Sequence, residues 1–586
     1  MFSRYLCLAF LFFGAHAQLN PGSVSGGSST SGSSIGSTGG FPFPPMVPHA
    51  PNAIHHVGVS YNLLKGNPDG QYWSTGGEDV GVSLTKKIFT ISPGDHPPEI
   101  ISEHHDGCQY SHGFTLFYNP KSYQDKLLTT VKTSGTADSA LKPFAFTLSS
   151  AYQAVVTQTS KHHYIYQDAA TYCKLGHVRY SMKLAESDHY PVTREFAADV
   201  CSLPVTYDAN SYMQFIEKWG THVVTEVDIG KATTNRYVGR LRDLFNFVMF
   251  NVTDEISMGG TLDGFPSSYV IDPDSYKYRH EYKYIVGVFE DNLSIGDQYY
   301  NDVIGKSVQT IDMALDTKYW QFINAYVQQH VCTASAAQNL GVWQTNIVTA
   351  LKAYPAFKNA MQPAVLPLAM PATWPLGTFS IPKPQGSQCP TTDFMGGTLT
   401  LPQGTHTGAA PTGLHIGGQL TSSKYTLQYC TKEDPAPTPY DIYWPRGDYC
   451  IQQYDDRCPY AFRMGKVLLK TSGTSAKLGI APTGTYGTST ELQFCCRNDS
   501  VYSHKVYLPS AKPFYLFKFQ HGCQKVNGMS VTDETLPLYN DVTSGGSAYQ
   551  TRLYGSYPYV EEVGRLSAYA TKQYNLHYCY YQPITK

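Results

Sequence analysis

The chain has 586 residues, a formal net charge of −2, and 15% charged against 42% hydrophobic residues. It is therefore neither a disordered acidic chain nor a polycation that would track nucleic-acid phosphates by counterion release. The abundance of Gly (50), Pro (37) and Tyr (46) fits turn-rich β-structure better than a helical bundle, and at roughly 150 residues per domain the length predicts two to four domains.

Residues 1–17 place Arg4 before the apolar run Tyr5–Phe13 and then Ala15-His16-Ala17, the pattern of a signal peptide. That run is far shorter than the roughly 18 apolar residues of a membrane anchor, so we expect a secreted protein. Removal of Cys7 leaves an even set: Cys108, Cys173, Cys201 and Cys332, then Cys389, Cys430, Cys450, Cys458, Cys495, Cys496, Cys523 and Cys579. Each group is itself even, which predicts full disulfide pairing within each part in an oxidising compartment. Asn251, Asn292 and Asn498 open N-x-S/T triplets and are glycosylation candidates. No later segment is long and apolar enough for a transmembrane helix, so membrane action would require conditional insertion.

Residues 18–50 form a Gly/Ser/Pro-rich leader, too poor in apolar side chains to offset its ordering entropy. Residues 51–360 mix helical and strand patterns. In Tyr212-Met213-Gln214-Phe215-Ile216-Glu217-Lys218-Trp219 the apolar residues recur at i, i+3, i+4 and i+7, one face of a helix. Gly220 should stop it, and Val223 to Ile229 then alternates with Glu226 and Asp228 as a half-buried strand does. Residues 361–390 carry seven prolines, expected to block regular hydrogen-bonded structure and form a linker. Residues 391–586 are a succession of short β-like runs, predicted to be all-β and disulfide-stapled.

Tyr212 to His222, with Tyr212, a six-residue spacer, Trp219, and then Gly220-Thr221-His222, resembles the membrane attack complex/perforin (MACPF) signature. Val57-Gly58-Val59-Ser60-Tyr61-Asn62-Leu63-Leu64-Lys65-Gly66-Asn67-Pro68 is similar to the first-strand motif of many invertebrate members. The resemblance implies an α+β fold: a bent four-stranded antiparallel sheet with two helical clusters that unravel into membrane-spanning hairpins. Carried onto this chain, the clusters fall at about 128–172 and 232–284, and Gly287 stands where many pore-formers carry a Gly-Gly hinge. A transmembrane hairpin takes roughly 20 residues plus a turn, and both segments exceed that. An open hairpin edge in lipid leaves backbone groups unsatisfied, so the resemblance also implies a homo-oligomeric ring before insertion. Apolar runs such as Phe245, Phe247 and Met249 would equally serve as core. For Trp219 to His222 the expectation is a helix-to-strand turn with a core histidine and no chemistry.

The second part carries Trp444-Pro445-Arg446-Gly447-Asp448-Tyr449, Cys458-Pro459, Cys495-Cys496-Arg497-Asn498-Asp499, Pro513-Phe514-Tyr515-Leu516, Cys523 to Met529, and Cys579-Tyr580-Tyr581. In this order they resemble the apextrin C-terminal (ApeC) domain, whose members are associated with microbial cell-wall material, and imply a target-binding module. The stretch Gly465 to Gly473 is basic and apolar where an Asp/Asn-rich loop is the pattern. Arg446-Gly447-Asp448 also spells an integrin tripeptide, although the ApeC pattern explains its surroundings without adhesion. Tyr578, Tyr580 and Tyr581 could stack on sugars but are more often strand-packing residues. The neighbouring pairs His104-His105 and His162-His163 point to opposite faces if on strands, and no metal and no cofactor are assigned. Cys495 and Cys496 should join separate disulfides. No hydrolase or phosphate-loop motif occurs in context, so no enzyme activity is expected.

The expectation is a secreted pore-forming immune effector or toxin that binds membrane lipid and a microbial glycan and inserts conditionally. A non-lytic protein of adhesion, development or egg-coat structure with the same two folds is the alternative; a secreted hydrolase is a third class.

Overall fold

The computed structural model describes residues 51–71, 77–94, 97–181, 191–251, 256–258, 268–272, 288–295, 302–403, 409–433, 438–470, 473–541, 552–565 and 571–584. The expected signal peptide 1–17, the leader 18–50 and the hinge candidate Gly287 lie outside them.

In chain order come α1 (Pro51–Ile54), β1 (Val59–Tyr61), β2 (Val82–Lys87), β3 (Ile100–Phe117), α2 (Pro120–Leu127), β4 (Val131–Ser134), α3 (Asp138–Leu141) and α4 (Ser150–His162). They are followed by β5 (Tyr164–Tyr180), α5 (Arg194–Ser202), α6 (Ala209–Trp219), β6 (His222–Arg240), α7 (Leu241–Asn251), β7 (Ile256–Met258) and β8 (Ser268–Ile271). Then come β9 (Val288–Ile295), β10 (Asp302–Thr310), α8 (Ile323–Gln328) and α9 (Ala336–Phe357).

Helix α6 shows why these elements form where they do. Asp208 caps it by accepting from the Ser211 amide at 2.8 Å, which satisfies an otherwise orphaned donor. Its buried face is Tyr212, Met213, Phe215, Ile216 and Trp219. Gly220 ends it at φ 75°, where a Cβ would come 2.7 Å from the Tyr61 carbonyl oxygen. The chain then enters β6, which sends Val223, Val227 and Ile229 into the core while Glu226 and Asp228 stay half-buried on the other face.

Strands β3, β5 and β6 pair antiparallel in that spatial order. The expected four-stranded sheet is broader, with eight strands. The reason is the 19-residue length of β6: it pairs with β9 toward its C-terminal end, with β10 along its N-terminal half, and with β1 at its first residues. Strand β4 lies parallel to β10 at the edge. Gly176, Gly230 and Gly305 run across β5, β6 and β10 beside shifts in register at Lys174/Gly176 and Val303/Gly305. At Gly230 a Cβ would stand 1.9 Å from the Cys173 carbonyl oxygen, so only glycine lets the backbones approach there. Cys108–Cys173 ties β3 to β5, and Cys201–Cys332 ties α5 to the turn before α9.

The proline-rich stretch differs from expectation. Within it β11 (Ala369–Pro371) and β12 (Phe379–Pro382) form regular ladders, and prolines 371 and 382 are the last residues of these strands, where a missing N–H disturbs the ladder least. Strand β12 pairs with Lys424–Lys432 and Asp448–Gln453 of the C-terminal sheet, and Trp374 is buried against Trp444 and Phe514. Residues 361–390 are therefore not a bare spacer, and the C-terminal core starts well before residue 391.

From β12 onward the described chain is all-β, a single 14-stranded sheet buried on both faces. Along Ser489–Asn498, Leu492, Phe494 and Cys496 enter one apolar core while Cys495 enters the other. This alternation sends the neighbouring cysteines apart, into Cys450–Cys496 and Cys458–Cys495. Cys389–Cys430 and Cys523–Cys579 complete the set, and none of the six disulfides joins a cysteine before the proline-rich stretch to one after it.

Candidate functional site

The two N-terminal motifs meet in space. Ser60 and Tyr61 of β1 pair with Val223 and His222. Thr221 donates its amide to the Tyr61 carbonyl at 3.0 Å and accepts the Leu63 amide on Oγ1 at 2.9 Å. Tyr212 is buried, donating its hydroxyl to the Pro204 carbonyl and accepting from Asn346. Trp219, fully buried, donates its indole N–H to Asp199 at 2.6 Å. His222 is also fully buried; Nδ1 lies 2.8 Å from Thr221 Oγ1, while Nε2 faces the Asp138 carboxylate at 3.9 Å. Burial pushes the ring below its ordinary value and favours the neutral form. The signature is thus a joint that locks helix, first strand and sheet, with no group presented for chemistry.

Two connections hang from this sheet. Residues 118–163 join β3 to β5 and carry α2, the edge strand β4, α3 and α4; residues 241–287 join β6 to β9 and carry α7, β7 and β8. The expected limits, 128–172 and 232–284, overlap β5 and β6, because β5 already begins at Tyr164 and β6 runs on past Ile229 to Arg240.

The first connection is held inside the N-terminal domain. Tyr123, Leu127, Phe146, Tyr152 and Val155 belong to its main apolar core. Beneath α2 lies a buried ion network: Arg236 of β6 makes a bidentate pair with Asp168 of β5 at 2.8 and 2.7 Å, reaches Asp69 at 2.9 Å, and Lys126 of α2 bridges Asp69 and Asp168. Burial alone would raise Asp69, but Lys126 and Arg236 more than reverse this and hold its carboxyl far below the usual range. Asp69 follows directly on the first-strand motif, so that motif, helix α2 and the two long strands are joined by one set of charges.

The second connection is held differently. Leu244, Phe245, Val248 and Met249 of α7 form an apolar cluster separate from the main core. Their partners are Tyr269 and Ile271 of β8, Leu368 and Met370 at β11, and Ile442 and Tyr507 of the C-terminal domain. Phe245 and Met249 are core residues here, in a helix, and Phe247 is half-buried against the same cluster. Ile165 joins this cluster while its neighbour Tyr166 packs on Phe117 in the main core, which places the two connections against opposite faces of the sheet.

In the C-terminal domain the expected motif residues converge. Arg497 donates to the Trp444 carbonyl at 2.8 Å and pairs with Asp499, which also accepts the Gly447 amide at 3.1 Å. Tyr449 donates to the Pro445 carbonyl at 2.6 Å. Gln524, fully buried within the Cys523 to Met529 motif, accepts the Asp448 amide and donates to the backbone of Tyr502, beside the Cys523–Cys579 bond. Asp448 is 3% exposed and accepts from Gln520 and His521, so the tripeptide around it presents no free carboxylate for adhesion. Tyr578, Tyr580 and Tyr581 are buried strand residues. Gly465 to Lys470 lies in a strand (Arg463–Lys470) whose Gly465, Val467 and Leu469 point inward. Asn498 is exposed at a strand end.

His104 and His105 are neighbours on β3, whereas His162 ends α4 and His163 caps it at φ 55°, so the strand expectation fails for that pair. Among the described residues the potential metal ligands that come together are His177, Glu226 and Asp228, within 4.8 Å of one another across β5 and β6, and they leave no pattern in sequence. Lys174 Nζ, 2.5 Å from Asp228, already supplies a cation there.

The MAC/Perforin domain family matches residues 50–349, and the C-terminal domain of apextrin matches residues 374–581. No curated protein matches. Among solved structures the chain is similar to a MAC/Perforin-domain protein of Bacteroides thetaiotaomicron at 12% identity and TM-score 0.25, over 47% of this chain and 60% of that one. It is similar to GNIP1Aa of Chromobacterium piscinae at 11% identity and TM-score 0.29, over 75% and 81%. With Astrotactin-2, a perforin-like vertebrate membrane protein, the identity is 9% and the TM-score 0.18, over 78% and 70%. With the signature joint, the sheet and its two helical connections in place, the chain belongs to the MAC/Perforin family and carries an apextrin-type C-terminal domain.

Proposed function

We propose that the protein is a secreted pore-forming effector or toxin that holds a target surface, microbial in the simplest case, through its C-terminal domain, assembles with further copies, and inserts both connections as β-hairpins. The observation that carries this is topological. Each connection joins two strands that are antiparallel neighbours in one sheet, β3 with β5 and β6 with β9. Unwinding either one lengthens an existing pair, and each exceeds the roughly 20 residues plus a turn that a transmembrane hairpin takes.

A hairpin alone in lipid would leave edge N–H and C=O groups unsatisfied at several kcal/mol each, so insertion needs a closed barrel and hence several copies. The 18-residue β3 supports such assembly: among the described residues it pairs with β5 alone and is half-buried to exposed along almost its whole length. The action is mechanical, with no bond made or broken.

Dye release from liposomes against protein concentration tests the proposal. Steep, greater-than-linear dependence is expected; absence of release across lipid compositions that include bacterial lipids would remove it.

A further inference from the structure

The clustering of α7 raises a question of control: most of the cover on its apolar face comes from outside the sheet that it hangs from. Strand β11 pairs antiparallel with β8, Ala369 opposite Val270 and Met370 opposite Tyr269, and the Ile271 amide donates to the Leu368 carbonyl at 2.9 Å. From the C-terminal domain, Ile442 and Tyr507 close over the helix, and the Tyr443 amide donates to Asn246 Oδ1 at 3.0 Å. His163 joins the parts: its carbonyl accepts the first amide of α7, from Leu241, at 2.9 Å, and its Nε2 lies 2.9 Å from the Tyr440 hydroxyl.

We propose that β11 and the C-terminal domain form an inhibitory clamp on the second connection, so that target engagement by that domain governs its release. This rests on the insertion reading above and adds its regulation. Hairpin formation from residues 241–287 requires β8 to leave β11 and α7 to leave Ile442 and Tyr507. Because this cluster is separate from the main core, it opens without unfolding the N-terminal domain. The first connection reaches the same side through His163, through Tyr118 at the edge of the outer cluster and through Asn119, whose side-chain amide donates to the Leu366 carbonyl, but Tyr123, Leu127, Phe146, Tyr152 and Val155 hold it in the main core. A target can drive opening only if it binds the released arrangement more tightly than the clamped one. A domain that is both target-binding module and clamp meets that condition once docking on a surface strains the 440–443 contact.

Two full-length variants test the clamp. In Asn246→Ala combined with Tyr440→Phe, the hydrogen bonds from the Tyr443 amide to Asn246 and between Tyr440 and His163 are lost. Hydrogen exchange within 241–251 and 268–271 should rise about tenfold or more in the absence of membranes while β5 and β6 keep their protection. In Ala369→Cys combined with Val270→Cys, directly opposed strand positions about 4.5–5.5 Å apart suit a disulfide. The cross-linked protein should bind membranes and lose dye release, while each single-cysteine variant keeps it.

Unchanged exchange in the first variant, or full leakage from the verified cross-linked second, would overturn the clamp. If wild type releases no dye at all, the pore reading falls, and the exchange measurement still decides whether the C-terminal domain restrains α7.

Discussion

The two connections are comparable in length and position, yet are fastened by opposite kinds of physics. Residues 118–163 are held from within, by aromatic packing in the main core and a network of four charges, three of them buried. The described elements of the second connection, α7, β7 and β8, are held from outside, by a three-stranded sheet completed by β11 and by apolar cover from a second domain. An internal charge network is fixed by the fold of its own domain; an interdomain cover can be withdrawn. The comparison predicts an order of events, with the second connection freed first and the first only as the sheet itself rearranges.

The largest effect should follow from breaking the internal anchor. Arg236→Met removes the bidentate partner of buried Asp168 and leaves Asp69 and Asp168 to share Lys126 alone, a loss of about 3–5 kcal/mol. Urea unfolding of the full chain reads it directly, and a loss below about 1 kcal/mol would mean that the network is not an anchor.

Two aromatic truncations sharpen the contrast. Trp219→Ala, in the main core, and Phe245→Ala, in the outer cluster, each remove a buried ring worth about 3–5 kcal/mol. The first should lower the main calorimetric transition. The second should leave that transition within about 1 kcal/mol and bring forward a smaller, earlier one, because its cluster is separate. Equal shifts of one common transition would erase the distinction between the anchors.

Acidification separates the anchors further. Asp69 has a depressed folded-state value, so its stabilisation is complete above its ordinary 3.8 and is lost only as pH falls toward about 2. The stability difference between wild type and Asp69→Asn, which removes the titrating group, should therefore be the same at pH 7.5 and 5. Buried His222 has the opposite consequence: its folded value is lowered from 6.5, the unfolded chain binds the proton more readily, and the domain loses stability as pH falls through 6.5. Denaturant midpoints for both proteins at the two pH values check both statements, and a shrinking difference would contradict the first.

The smallest effect is expected at Asn498→Gln. This exposed site at a strand end should leave the melting temperature of the full chain unchanged, as calorimetry would show.

The sequence made local features legible. Tyr212 to Trp219 has helical spacing and Gly220 a left-handed stop, and both are decided within a few residues. The even division of cysteines likewise anticipates six disulfides that stay within their own parts. Features made by distant pairing were silent. Asp69, Lys126, Asp168 and Arg236 are scattered along the chain and meet only because β5 and β6 pair in one register. The proline-rich stretch reads as a linker because proline is a poor ladder donor, yet three- and four-residue strands fit between its prolines when distant partners supply the other edge. The clamp was hidden for the same reason: no local pattern in Leu244 to Met249 tells which domain will cover it. His162-His163 falls at a helix end rather than on a strand because a helix begun at the Ser149 cap runs to His163, which closes it in a left-handed conformation, and nothing in the two residues themselves marks this.

The central claim is that both connections leave their anchors and become membrane strands. An environment-sensitive fluorophore placed at successive single cysteines through 146–155 and 244–250 measures this directly on liposomes. Emission should change at alternate positions, the period of a strand with one lipid-facing side, appearing with dye release and earlier in 244–250 than in 146–155. Dye release with no change in emission at any position in either segment would contradict it.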